Sequence, residues 1–206
     1  PEIGRVARHG AALAAIGGTL GAVLMASVLL VLPHIGLPED VLAILGPYWL
    51  FISAMLLPFT LLLAAKNLLD ATDQPWTAVA LTCVTVGLNV VFNYALIYGH
   101  FGAPALGLTG AGVASFLAQT LGALIIWGYV RFHPKLAVWW TRSGVDRDGL
   151  MQQWREALPM TVQYFLEGAA VALAGILIGY FGATALAGNQ IALAVGATLY
   201  MLPLGI

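Results

Sequence analysis

Six apolar stretches of more than twenty residues follow one another along this sequence, from about Ala11 to Leu32, Val41 to Ala65, Pro75 to Tyr98, Thr109 to Val130, Ala157 to Phe181 and Thr184 to Ile206. One charged side chain, Glu167, interrupts them. Each stretch is long enough to cross a hydrocarbon layer of about 30 Å as an α-helix. With 8 Lys+Arg and 9 Asp+Glu among 206 residues, the chain has too little polar side-chain surface to cover a water-soluble globule of this size. The fold class that follows is an all-α integral membrane protein, a polytopic helical bundle. The first stretch exceeds a signal-peptide core, and five more follow without a secretory domain between them, so it reads as a true span. A net charge of -1 offers nucleic acid no basic surface, and the single cysteine, Cys83, supplies neither a disulfide framework nor a zinc site. The chain starts at Pro1 and ends at Ile206 within an apolar run, so the expectation is a piece of a longer membrane protein.

The basic residues sort to one side. Arg5 and Arg8 precede the first span, Lys66 follows the second, and Arg131, Lys135, Arg142, Arg147 and Arg155 lie between the fourth and fifth. The opposite loops, around Pro33 to Asp40, Gly99 to Leu108 and Gly182 to Ala183, carry no Lys or Arg. Short basic loops stay in the cytoplasm, so the start of the chain and the long connection are expected there. That connection, from His133 to Arg155, reads as a linker between two bundles. Trp139 and Trp140 beside its basic residues suit the headgroup level.

Glu167 is the first candidate for function. It lies ten residues after Ala157, about 15 Å deep at 1.5 Å per residue, near the middle of the membrane. A charge there costs roughly 2.5–3.5 kcal/mol on insertion scales, so such residues face a cavity or a partner. A carboxyl in that position can take up and release a proton, and when ionised it is a hard oxygen ligand for Na+. Gln163, one turn earlier on the same face, can share the ion or proton. Held protonated, the same group would serve packing alone. The third span carries Thr82, Thr85, Asn89 and Asn93 along one helical face. The amides of Asn89 and Asn93 can coordinate a cation, hydrogen-bond a substrate or simply join helices. Gln119, Asn189 and Gln190 are read as helix-joining residues.

Other features point to packing. Gly10, Ala14, Gly18, Ala22 and Ala26 recur every four residues on the first span, as do Ala114, Ala118 and Gly122 on the fourth. Small residues at that spacing let helices approach closely. Pro58 and Pro203 fall inside spans and can bend them. The glycine-rich stretch from Gly99 to Gly112 reads as a tight outer turn with Thr109 starting the next helix. His9, His34, His100 and His133 sit at span ends, far apart in sequence, which argues against a metal site. No Ser-His-Asp set, metalloprotease motif or pair of aspartates within spans is present, which argues against an enzyme.

The run Asn89-Val-Val-Phe-Asn-Tyr-Ala-Leu-Ile-Tyr-Gly, with Phe101-Gly-Ala-Pro-Ala-Leu-Gly and Gly110-Ala-Gly-Val-Ala-Ser, resembles the fifth and sixth helices of the multidrug and toxic compound extrusion (MATE) transporters. Leu158-Pro-Met through Glu167, then Leu186-Ala-Gly-Asn-Gln-Ile-Ala-Leu and Leu202-Pro-Leu-Gly, resemble their seventh and eighth. The resemblance implies six spans of a twelve-helix, two-lobe transporter. Residues 1–133 would be the last four helices of the N-terminal lobe, 134–152 the interlobe linker and 153–206 the first two helices of the C-terminal lobe. It also implies that Glu167 matches an acidic residue tied to cation coupling, and that Asn89 and Asn93 lie near the N-terminal lobe's acidic site.

The function so implied is a cation-coupled antiporter, driven by Na+ or H+, that exports amphipathic or cationic organic compounds from the cell across the plasma (inner) membrane. Its partners would be those compounds and membrane lipids. It would need no cofactor beyond the coupling ion and would act as a monomer when full length. This chain by itself is not expected to transport. A lipid-linked saccharide flippase of related fold is the alternative, disfavoured because no Lys or Arg lies inside a span to hold a pyrophosphate. A non-transporting membrane scaffold would leave Glu167 replaceable by a neutral residue.

Overall fold

The computed structural model describes residues 2–35, 39–134, 136 and 146–204. Trp139 and Trp140, with Lys135 and Arg142, lie outside the described residues. All regular structure among the described residues is helical. The helices are α1 (Glu2–Ser27), prolonged by 3-10 turns at Val28–Leu30 and Leu32–Ile35, then α2 (Glu39–Asp70), α3 (Pro75–Tyr98), α4 (Gly107–Phe132), α5 (Arg147–Gly179) and α6 (Ala183–Leu204). Segments covering α1 to α5 are long and apolar enough to cross a membrane. The sixth expected span forms the 22-residue α6. A polytopic all-α membrane protein is therefore the architecture, as the apolar blocks predict.

Helix ends differ from the sequence reading where local chemistry is weak. α4 begins at Gly107, before Thr109, and Leu106 at its N-cap supplies no side-chain hydrogen bond. Two backbone devices hold this turn instead. Gly99 in the left-handed conformation ends α3, its N–H donating to Ala95 O at 2.9 Å, and Leu106 N–H donates to Leu96 O, also at 2.9 Å. α5 starts at Arg147, inside the expected linker and well before Ala157. Pro47 and Pro159 lie within helices, as Pro58 does.

The chain forms two compact units, residues 1–153 and 154–206. In the first, α2 packs between α1 and α4, and α4 packs between α2 and α3. The small-residue stripes explain how. On α4, Gly110, Gly112, Ala114, Ala118 and Gly122 are buried. A Cβ added at Gly112 would press on Tyr48 and Phe51 of α2, and one at Gly122 on Thr85 of α3 and Leu62 of α2. On α1, Gly18 meets the α2 backbone at Leu56 and Leu57, while Thr60 Oγ1 donates to Ala14 O at 2.9 Å. An apolar core lies at one end of this unit, from Leu62, Ala65 and Leu69, Ala78, Ala123, Ile126, Val130 and Leu136. Trp127 Nε1 donates to Leu61 O (3.0 Å) and Tyr129 Oη to Gln74 Oε1 (2.9 Å) at that end. The second unit continues α5 from Trp154 and turns at Gly182, with φ of 102°, into α6. Its large apolar side chains, such as Tyr164, Phe165 and Leu166, are exposed. Such surface suits hydrocarbon or further helices, not water.

Candidate functional site

The polar stripe of α3 divides into two parts. Thr82 and Thr85 donate their hydroxyl protons one turn back along α3, to Ala78 O (2.8 Å) and Leu81 O (3.0 Å), so they satisfy themselves. Asn89 and Asn93 form a linked pair. Asn93 Nδ2 donates both to Asn89 O (2.8 Å) and to Asn89 Oδ1 (2.9 Å), while Asn89 Nδ2 reaches Ser115 Oγ of α4 at 3.4 Å. The pair is half-buried on the side of α3 that meets α4. Gln119 lies one turn beyond Ser115 on α4, and its buried Oε1 has no hydrogen-bond partner. That differs from its reading as a helix-joining residue, because the amide oxygen joins nothing among the described residues.

What this seam offers chemically is a set of neutral oxygens: Asn89 Oδ1, Ser115 Oγ and Gln119 Oε1. Such groups accept hydrogen bonds from a cationic or hydroxylated guest and ligate hard cations, without a fixed charge of their own. No group of three or more His, Cys, Asp or Glu able to hold a metal occurs among the described residues.

Glu167 sits on α5 in the second unit, with Gln163 one turn before it. Eleven residues separate it from Glu156, so it lies about 16 Å along the helix from the preceding charge. Both Glu167 and Gln163 are exposed within this chain. The sequence therefore locates the carboxyl well within the apolar part of α5, and the described residues supply it with no buried pocket. The asparagine pair and Glu167 belong to different units.

One constellation escapes sequence reading. His9 of α1 is 1% exposed, and its Nε2 lies 2.9 Å from Asp146 Oδ1 and 3.0 Å from the Asp146 backbone nitrogen. Asp146 caps α5, its Oδ2 accepting the Gly149 N–H at 3.0 Å. That backbone donor holds the Asp146 carboxyl below its ordinary range, against some desolvation, and His9 and Arg5 add to the effect. The spacing of Asp146 and Gly149 is a helix-start signal that the linker reading passed over.

No family model matches the chain. A probable multidrug resistance protein NorM of Pseudomonas putida is 33% identical over 147 residues, 70% of this chain and 32% of the relative. Relatives of the same name from Shewanella oneidensis (31% over 204 residues, 98% of this chain, 44% of the relative) and Streptococcus pneumoniae R6 (31% over 193 residues, 91% and 43%) extend the likeness to nearly the whole sequence. The chain thus spans 32–44% of their length, and their names describe drug resistance, not enzymatic turnover. Helical architecture, the α3–α4 sequence and these relatives agree that the chain belongs to the multidrug and toxic compound extrusion family of membrane transporters.

Proposed function

We propose that this sequence forms part of a cation-coupled antiporter that exports amphipathic or cationic organic compounds by alternating access. The observation that carries the reading is Glu167, the one charged side chain within the apolar spans, in a chain whose relatives are named for multidrug resistance. A carboxylate with Gln163 beside it can hold Na+ or a proton. An organic cation competes for the same negative charge, directly or through the conformation the ion favours. Ion and drug then bias two arrangements of the lobes in opposite senses, and the ion gradient drives export. The Asn89–Asn93 pair, with Ser115, serves the N-terminal lobe as a neutral polar site for substrate or ion. The sorting of the basic residues to one side supports a cytoplasmic start of α1 and approach to α5, and export from the cell calls for the plasma (inner) membrane.

The test is efflux of a fluorescent cationic dye from vesicles holding a transporter of the relatives' full length that carries this sequence. Na+ and H+ gradients are imposed in turn on the native protein and on Glu167→Gln. Gradient-driven efflux that falls to background in Glu167→Gln supports the reading and names the ion. Equal efflux by both removes Glu167 from coupling, and absence of dye movement under every gradient removes drug export itself.

A further inference from the structure

We propose that His9 and Asp146 form a protonation-sensitive clasp that seats the first turn of α5 on the start of α1. One nitrogen of His9 has two incompatible neighbours. His9 Nε2 faces the Asp146 N–H at 3.0 Å and the Asp146 Oδ1 at 2.9 Å. When the ring is neutral with its proton on Nδ1, Nε2 accepts from the backbone N–H and confronts the carboxylate with a lone pair. When the ring is protonated, Nε2–H donates to Oδ1, and a charge-assisted hydrogen bond replaces a neutral one. Charge-assisted bonds are the stronger class, so the clasp tightens when His9 takes up a proton.

The surroundings are built for this contact. Gly149 packs against the imidazole, and a Cβ there would collide with His9 Cε1 and stand 2.8 Å from Nδ1. The side chain at 149 must be absent for His9 to be covered. Gln153 Nε2 donates to Val6 O at 3.1 Å, a second tie between α5 and α1 that carries no charge. The charges nearby are Arg5 and Arg8 on α1, Asp146 with the exposed Arg147 and Asp148 on α5, and Arg131 and His133 at the end of α4. On α2, Lys66 and Asp70 pair with each other at 2.7 Å. The Gly149 N–H holds the Asp146 carboxyl below its ordinary range, so the carboxylate is the fixed partner and the two arrangements differ by the ring proton alone. On the orientation given under Proposed function, the clasp would respond to cytoplasmic pH at the point where the chain enters α5. Only that last step depends on the transport reading.

The experiment is amide hydrogen exchange of the full-length protein in detergent, corrected for the pH dependence of intrinsic exchange, at pH 5.5 and pH 8. The readout is the segment 146–153. In the native protein the segment is expected to be about tenfold better protected at pH 5.5, the difference between a charge-assisted and a neutral hydrogen bond. His9→Gln abolishes the difference. Asp146→Asn, at an exposed position and still able to cap α5, no longer tightens in acid. Equal protection of the native segment at both pH values overturns the proposal, and so does a dependence that survives in either variant. A transporter that fails to move dye leaves this outcome untouched, because the measurement reads α5 seating alone.

Discussion

Gly110→Ala is the sharpest test of how α3 and α4 meet. Gly110 is buried in the first turn of α4, directly against the end of α3. An added Cβ would fall on the carbonyl oxygen of Leu96 and lie 2.7 Å from its carbon and 3.2 Å from Ile97 N. All three atoms are helix backbone, so no side chain can swing away, and either α4 or α3 must move. Overpacking of this kind costs about 1–3 kcal/mol, and rigid partners put it at the upper end. Replacing a helical glycine by alanine returns roughly 0.5–1 kcal/mol, which leaves a net loss of about 2 kcal/mol. Gly112→Ala provides a graded comparison, because its Cβ would sit 3.2 Å from Phe51 Cβ, Tyr48 Cδ2 and Tyr48 O and asks for only a few tenths of an ångström. Gly128→Ala meets nothing within 4 Å and is expected to be neutral or stabilising. Unfolding free energies from SDS titration of the purified full-length protein should rank the three in that order. If Gly110→Ala falls within about 0.5 kcal/mol of the native protein, the size of an ordinary surface effect, then α4 does not approach Leu96 as described and the reasoning fails.

Two further outcomes follow from single contacts. Trp127→Phe removes the indole donor to Leu61 O (3.0 Å) between α4 and α2 while keeping most of the aromatic packing, and should lower the same unfolding free energy by about 0.6–1 kcal/mol, with no loss meaning that the bond is not formed. Asp146 has its carboxyl held below the ordinary range, so its contribution is present above the unfolded-state value and is lost as pH falls through the lower folded-state value; the melting-temperature gap between native protein and Asp146→Asn should therefore close only in strong acid, and a gap that closes near neutrality would contradict the cap.

What could be read in advance divides by the distance over which the deciding interaction acts. The spans follow from local apolar length alone, and each expected stretch falls mostly within helical structure among the described residues, the fifth running two residues past the end of α5. The small-residue stripes of α1 and α4 also announce close approach, because the spacing that places them on one face is a property of the helix itself. Their partners are not so announced. Thr85 against Gly122 and Thr60 against Ala14 depend on which helices become neighbours, and that is settled by tertiary packing. Helix starts fail in a related way. Thr109 has the right chemistry for a cap, yet α4 begins before it, because the Leu106 N–H bond to Leu96 O fixes the turn with backbone groups present in every residue. A side-chain signal is informative only where the backbone does not already decide.

The two candidate centres show where such reading ends. Along α3 the asparagines are legible as a pair because they are one turn apart, and the structure joins them directly; Gln119 Oε1, left unpaired on the neighbouring helix, gains meaning only once α4 is known to pack on α3. His9 and Asp146 are 137 residues apart, and nothing local to either predicts their contact. Glu167 is the converse case. Its depth is fixed by counting along one helix, but its environment is a property of whatever faces α5, and within residues 154–206 only α6 accompanies it. A carboxyl at mid-membrane costs too much to be left facing hydrocarbon in its ionised form. The group that faces Glu167 therefore decides whether the carboxyl couples an ion or serves packing alone. The ion-gradient experiment on Glu167→Gln separates a coupling role from a structural one.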